Sequence, residues 1–392
     1  MGNSSLWAQE VHFGGSLRGY QFLELEKSVD IKAKSNAGIV HSERFDTELW
    51  LLRFTLATTF NQHIQLEIHP LLQFVSPVLI NSLPMSADME STYLPLNRTL
   101  AHGDEWELVG SIDHFNFKFN FESIRVVVGR QPITWGVTYF WPALDLFAPF
   151  SPNRIDRDYK PGVDVIRATI PWGNYSELEL IGGALGSSLK QDGVFGALAR
   201  IYLGPLDIGF VGGKFHGDTV TGGFLTTDFY GTGLRGELNW TQSGDIADRL
   251  RDKKTFLRSA VGIDRQLSPS LSLSVEIAFN GYGVKEAQEY LTQTSANRIA
   301  RGEVTAMGKW YSGILSSWAL HPLGTLNNSI LVNWQDPSAL WIPNLSWSTG
   351  NNSTVLLGAQ IGVGSKSLSE GVLRSEYGSV LNTVFFAFQQ YF

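Results

Sequence analysis

The sequence predicts an all-β chain folded as one transmembrane antiparallel β-barrel of about 18 strands (roughly 16–18), with short turns at one end and long loops at the other. Three observations carry that prediction. The 392 residues combine 43% hydrophobic residues and 40 glycines with only 17% charged residues, well below the charged quarter of an ordinary soluble domain. No apolar run reaches the roughly 18–20 residues a membrane helix needs; the longest, Leu71 to Ile80, is broken by Gln73, Ser76 and Pro77. Apolar residues recur instead at every second position, the period of a strand with one apolar and one polar face.

Composition also removes whole classes of function. A net charge of −7, from 30 basic and 37 acidic residues, offers no basic footprint for nucleic acid. Such a charge is also too small, and the chain too apolar, for intrinsic disorder. The absence of cysteine excludes disulfide scaffolds, thiolate metal sites, cysteine nucleophiles and covalently attached c-type haem.

Along the chain, Leu6-Trp7-Ala8 before Gln9-Glu10 has the form of a signal-peptide tail with Ala8 at the cleavage position. Residues 1–8 are therefore expected to be a signal-peptide remnant or a disordered N-terminus, and residues 9–392 a single barrel. Strands are expected near 11–23, 46–58, 62–72, 104–120, 124–131, 162–171, 176–184, 194–203 and 206–215, then near 219–225, 229–240, 254–266, 270–282, 303–319, 326–335, 339–348, 353–363 and 379–392. Ile64, Leu66 and Ile68 alternate with Gln65, Glu67 and His69, and Phe115, Phe117 and Phe119 with Asn116, Lys118 and Asn120. Leu271 to Phe279 and Ile330 to Trp334 repeat the pattern. The fourth strand changes phase between Ile112 and Phe115, which predicts a bulge at Asp113-His114; two short strands joined by a turn are the other reading.

Every second connection is short, as at 57–61, Phe121-Glu122-Ser123, Trp172 to Tyr175, Gly204-Pro205, Ser268-Pro269, His321 to Gly324 and Gly350 to Asn352. The others are long, near 24–45, 73–103, 132–161, 241–253, 283–302 and 364–378, and both termini fall on the short-turn side. A β-sandwich has no reason for such a rhythm, whereas an outer-membrane barrel does. Within the long connections, Asp245 to Lys254 reads as a solvated loop, and Lys285 to Arg301 has partial helical periodicity (Ala287, Tyr290, Leu291).

The last strand is specific in a different way. Val384, Phe386, Phe388 and Phe392 alternate with Thr383, Phe385 and Ala387, and the chain stops on Phe392. This resembles the terminal strand of bacterial outer-membrane proteins, whose final aromatic is read by the barrel-assembly machinery. Over its whole length the chain resembles Gram-negative porin-like barrels. The GRQ-x-x-x-WG segment Gly129 to Gly136, with Lys160-Pro161-Gly162-Val163-Asp164, is similar to a set of little-characterised single-chain members. The resemblance implies a bacterial outer-membrane location, contact with the lipid bilayer and lipopolysaccharide, and assembly by that machinery. Many porins are trimers, so it allows an oligomer, although no interface is legible in the residues.

A barrel of this width encloses water unless something fills it. Strand parity, with Arg130 added as a loop anchor, predicts a lumen wall carrying Arg53, Glu67, Glu107, Lys118, Arg125, Arg130, Asp164, Arg167, Arg200, Arg235, Glu237, Arg258, Asp264 and Glu276. Both signs are mixed, unlike the single-sign rings of strongly selective channels. Residues 132–161 are too apolar to stand in water. The third long loop of porins folds inward, so the resemblance implies a constriction carrying Trp135, Tyr139, Phe140, Trp141, Asp145, Phe147 and Phe150. Arg130 could anchor this loop by pairing with Asp145 or Asp164.

No enzyme is expected: the eight histidines are scattered, and neither a nucleophile motif nor a Gly-rich phosphate loop occurs. Glu67 and His69 share a strand face and could place two metal ligands, but a solvated lumen wall is the simpler reading, so no cofactor is expected. The predicted function is passive diffusion of small hydrophilic solutes or ions. The alternative is a barrel that sheathes a partner protein such as a multihaem cytochrome; with no Cys-x-x-Cys-His here, any haem would belong to that partner.

Overall fold

The computed structural model describes residues 10–25, 47–76, 92–244, 254–290, 297–300, 302–366 and 373–392. The expectation for residues 1–8 lies outside the described residues, as do 245–253 of the charged run and 291–296 of the helical stretch. The strands are β1 (Glu10–Glu24), β2 (Thr47–Asn61), β3 (Ile64–Ser76), β4 (Asn97–His102), β5 (Glu107–Asn120), β6 (Arg125–Gln131), β7 (Val163–Trp172), β8 (Ser176–Ala184), β9 (Gly193–Leu203) and β10 (Leu206–Phe215). They continue as β11 (Asp218–Phe229), β12 (Thr232–Gln242), β13 (Thr255–Ser268), β14 (Leu271–Asn280), β15 (Trp310–His321), β16 (Gly324–Asn333), β17 (Ser338–Gly350), β18 (Ser353–Val363) and β19 (Thr383–Tyr391).

Each strand pairs antiparallel with its neighbour, and β19 returns to β1 through the register Ser16↔Tyr391 to Glu24↔Thr383. Of the 19 strands, β4 and β6 share one position beside β5, so 18 positions close the barrel. β3 passes over β4 to pair with β5. β4 pairs only with the long-loop half of β5 (Asn97↔Ser111 to His102↔Glu107), end to end with β6, which holds the short-turn half (Phe115↔Arg130 to Asn120↔Arg125). The predicted phase change is a bulge: His69 faces His114 and Pro70 faces Ile112, leaving Asp113 unopposed.

The outer surface explains why the chain needs so little charge. Ile166, Phe210, Leu225, Leu238, Val261, Ile263, Ile277, Ile314, Ile330 and Leu357 are exposed at mid-strand. Trp172, Tyr175, Phe229, Tyr230, Trp318, Trp347 and Phe392 ring the short-turn end, and Trp50, Trp240, Trp310, Trp334 and Trp341 the long-loop end. An apolar band between two aromatic girdles is the outer face of a transmembrane barrel.

Several boundaries differ from expectation, β3 running on to Ser76 and β19 beginning only at Thr383 among them. The turn after β2 is Gln62-His63 rather than 57–61. β11 runs on to Phe229 because the reversal is made by Tyr230 and Gly231, with φ of 49° and 72°. The strand expected from 303 begins only at Trp310. β4 was not expected at all, since Asn97–His102 carries no apolar alternation to announce it.

The lumen and the segment across it

Residues 132–161 leave the long-loop end of β6 and return at β7, and between those points they touch most of the wall. The outward leg packs first against β7–β11. Ile133, Trp135, Leu144, Leu146 and Phe147 form one buried cluster with Val163, Val165, Ile181, Val194, Leu198, Val211, Phe215, Val220 and Phe224. Trp135 meets Phe147 and Phe215 edge-on, with ring centroids 4.8 and 5.9 Å apart, the arrangement the ring quadrupoles favour. Phe140 and Trp141 join a second cluster with Ala260, Ala278, Tyr311, Leu331, Leu340 and Ile342 on β13–β17. Two wall glycines make room: a Cβ at Gly222 would lie 2.6 Å from Leu144 Cδ2, and one at Gly313 would enter the Phe140 ring.

A segment without strand partners must still satisfy its backbone N–H groups, and wall carboxylates do this. Glu276 accepts from the amides of Tyr139 (2.7 Å), Trp141 (2.9 Å) and Phe140 (3.2 Å). Glu237 accepts from the Val137 amide (2.8 Å), the Thr138 hydroxyl (2.7 Å) and the Ala143 amide. An ionised carboxylate has about four acceptor positions and no donor, so it suits three donors where an amide side chain would not. Asn239 donates to the Ala143 carbonyl (2.9 Å), Arg235 to the Val137 carbonyl (3.0 Å), and Trp135 Nε1 to Glu179 (2.7 Å).

The return leg crosses the seam where the barrel closes. Gln360 on β18 donates to the Asn153 carbonyl (2.8 Å). Arg18 on β1, 2% exposed, pairs with Asp156 (2.7 Å) and Asp158 (3.1 Å), and Tyr391 on β19 donates to Asp158. The Tyr159 ring lies between two guanidinium groups, 4.7 Å from Arg18 and 4.2 Å from Arg53, and Arg53 pairs with the bulged Asp113. Lys160 Nζ bonds Asp145 at 2.6 Å and Thr134 Oγ1 at 2.9 Å, clasping the two legs together. Burial pushes the Asp145 carboxyl up and the Lys160 ammonium down, and their mutual attraction opposes both shifts.

Wall charges from the sequence are largely paired. Arg200 meets Asp207 (2.9 Å), Arg235 meets Asp264, Arg167 lies 3.8 Å from Glu179, and Lys118 meets Glu67. Arg258 is buried and donates to the Glu303 carbonyl (2.7 Å). Arg125 is exposed, donates to Asn120 Oδ1 (3.1 Å), and with Lys118, Arg167 and Glu177 lines an open vestibule of 690 Å³ at the short-turn end. Glu107 accepts from Thr99 at 2.7 Å. Within the segment, Tyr139 is 45% exposed and stacks on Arg235 at 4.4 Å, and Phe150 lies under Arg154 at 4.8 Å.

Arg130 and Asp164 require a correction. They bond each other at 2.8 and 2.9 Å, but on the outer face. Asp164 and Arg167 stand three positions apart on a strand and take opposite faces. Val163, Val165 and Arg167 point inward, so Asp164 shares its side with exposed Ile166 and Arg130 with exposed Val128. The pair is buried by residues 92–96: the Leu94 amide donates to Asp164 (2.8 Å), and Arg130 donates to the carbonyls of Leu94 (2.5 Å) and Ile112 (3.1 Å). It neither lines the lumen nor reaches Asp145.

At the C-terminus, Phe386 and Phe392 are exposed and Phe388 half-buried on the outer face, while Phe385 and Ala387 are buried inside. Phe392 and Gly15 exchange backbone hydrogen bonds of 2.7 and 3.0 Å, and a Cβ on Gly15 would sit 2.6 Å from the Phe392 ring. At the other end, Glu376 accepts from Tyr311 (2.5 Å) and Asn333 (2.7 Å), joining the last long loop to β15 and β16. Burial pushes the Glu376 carboxyl up to about 7.

Sequence reading alone does not single out Arg18, Asp113, Tyr159, Glu179 or Asp207 as residues of the lumen. Strand parity could have found Arg18, on the face of Tyr20 and Phe22, and Asp207, on the face of Val211. Tyr159 had no periodic signal.

No family model and no curated protein matches the chain. Among solved structures it is similar to OccD3 (OpdP) of Pseudomonas aeruginosa, with 11% identity, TM-score 0.53, and 99% of this chain and 93% of that one covered. It is also similar to OmpF of Salmonella typhi, with 10% identity, TM-score 0.51, and 100% and 99% covered. An engineered variant of the Rh. blastica porin matches with 9% identity, TM-score 0.50, and 98% and 100% covered. At such identities the likeness is one of fold, and the fold is that of the porin-type transmembrane barrel.

Proposed function

We propose that the chain is a bacterial outer-membrane channel for passive diffusion of small hydrophilic solutes or ions, with residues 132–161 as its constriction. One observation carries this reading: beside the apolar patches that receive the segment, the inner wall carries paired charges of both signs, and the segment crossing it is held by wall carboxylates rather than left free. The apolar outer band and its two aromatic girdles support insertion in lipid, with lipopolysaccharide as the outer-leaflet neighbour. The terminal Phe386, Phe388 and Phe392 are the proposed assembly signal. Paired charges of both signs leave little net field, so selectivity between cations and anions should be modest. A lumen already crossed by the chain's own segment favours solute passage over enclosure of a folded cytochrome.

Single-channel recording of the refolded chain in planar bilayers tests the proposal. Stable open steps are expected, and deletion of Phe140–Phe150 should raise their conductance. A folded chain that stays electrically silent would overturn the channel reading, and an unchanged conductance after deletion would remove the segment from the constriction.

A further inference from the structure

Two inward residues of β3 and one of β5 converge beneath the return leg of the segment. Glu67, His69 and His114 place one potential ligand atom each within 4.8 Å of the others. His69 Nε2 lies 3.0 Å and His114 Nδ1 3.8 Å from the same oxygen, Glu67 Oε1. The two imidazole rings face each other at 4.5 Å with an interplanar angle of 33°. The Asp113 bulge produces this convergence, because it puts His114 directly opposite His69 in the register.

At His114 one hydrogen bond selects the tautomer a metal needs. His114 Nε2 lies 3.1 Å from the Lys160 carbonyl. A carbonyl only accepts, so Nε2 carries the proton and Nδ1 presents its lone pair toward Glu67. An imidazole whose far nitrogen donates to a backbone carbonyl is the usual second-shell support of a metal-bound histidine. Glu67 divides its work in the same way: Oε2 takes the Lys118 ammonium and Oε1 faces the two imidazoles. His69 and His114 are 9% and 6% exposed, yet Lys118 lines the 690 Å³ vestibule, which supplies a path from water.

We propose that Glu67, His69 and His114 bind one divalent transition cation of the Zn²⁺ or Cu²⁺ class on the inner wall. Zinc bonds of roughly 2.0–2.2 Å give ligand-to-ligand edges of roughly 3.3–3.5 Å in a tetrahedron, and the observed 3.0 and 3.8 Å lie either side of that. Two imidazoles and one carboxylate suit Zn²⁺ or Cu²⁺ far better than Ca²⁺ or Mg²⁺. The ion takes the place of the His69 N–H···O bond: His69 would coordinate through Nε2 and carry its single proton on Nδ1, so the exchange of tautomer leaves the proton count unchanged. Through His114 and the Lys160 carbonyl the ion ties β3, β5 and the crossing segment at one point.

The test uses the full chain, folded in detergent micelles and stripped with chelator. Calorimetry with Zn²⁺ should give one site per chain. His69→Gln and His114→Gln should each weaken it at least tenfold, about the range that perturbing a metal site's support already produces, and the double substitution should abolish it. Lys118→Gln, which removes a competing cation, should tighten it. The Cu²⁺ form of the unsubstituted chain should show nitrogen hyperfine structure from two imidazoles, a readout that survives if a variant fails to fold. Zn²⁺ binding weaker than about 1 mM, binding unchanged in the double variant, or a Cu²⁺ spectrum without nitrogen coupling would each overturn the proposal.

Discussion

Replacing Val275 by Arg tests the membrane orientation of the wall directly. Val275 sits in the middle of the ten-residue β14, paired with Ile263 on one side and Ile314 on the other. All three point outward, 37%, 48% and 40% exposed. A guanidinium at mid-strand on this face enters the bilayer centre, at a cost of about 2–4 kcal/mol. The folded-to-unfolded ratio should then fall roughly 30- to 700-fold. Ser274→Arg, one residue earlier, is the matched control: position 274 faces inward, opposite Asp264 and its partner Arg235, so the new cation joins a charged inner wall rather than lipid. Its cost should stay within about 0.5 kcal/mol. Urea titration in lipid vesicles, followed by tryptophan emission and heat-modifiable mobility on gels, reads both variants. Equal losses, or a larger loss for Ser274→Arg, would refute the assignment of inner and outer faces.

Other consequences can be checked one at a time. Gly313→Leu places a side chain where the Phe140 ring lies; overpacking of about 1–3 kcal/mol should displace the segment, red-shift tryptophan emission and raise conductance. Arg130→Ala leaves Asp164 buried without its partner, an expected loss of about 3–5 kcal/mol, and new protease cleavage should appear at 92–96 rather than in 132–161. Glu376 is held near 7, above its ordinary 4.5, so folding favours its protonated form. Its stabilising contribution is full below pH 4.5 and is lost as pH rises through about 7. The last long loop should therefore exchange amide hydrogens faster above pH 7, and Glu376→Gln should flatten that dependence.

The barrel was legible because its signal is local. Alternation such as Leu271 to Phe279 requires only neighbouring residues, and the bulge at Asp113 announced itself as a change of phase. What failed was less periodic. Asn97–His102 pairs through its backbone while its side chains carry no alternation. Placing Asp164 on the wall misapplies parity, since it cannot share the inner face with Arg167 three positions on; residues 92–96, about 70 positions earlier in the chain, cover it on the outside. The hold on the crossing segment was half visible. Glu237 and Glu276 were inward by parity, but nothing in the sequence says that each grips three donors 94–137 residues away. Likewise Glu67 and His69 shared a face in the sequence, and only the register brought His114 to them.

The route of the crossing segment bears on the order in which the molecule can form. Arg18 from the first strand and Tyr391 from the last both grip Asp158, so the segment spans the same seam that β1 and β19 join. Arg18 also grips Asp156, 138 positions away, and Tyr391 lies 233 positions from Asp158; closing such distances is slow compared with adding one hairpin to the next. Hairpins from β2 to β18 can accumulate in sequence order, whereas the seam needs both chain ends and the interior segment together. Closure of the seam and docking of the return leg are therefore expected to be coupled, because Asp156 and Asp158 need the first strand and Asp158 the last.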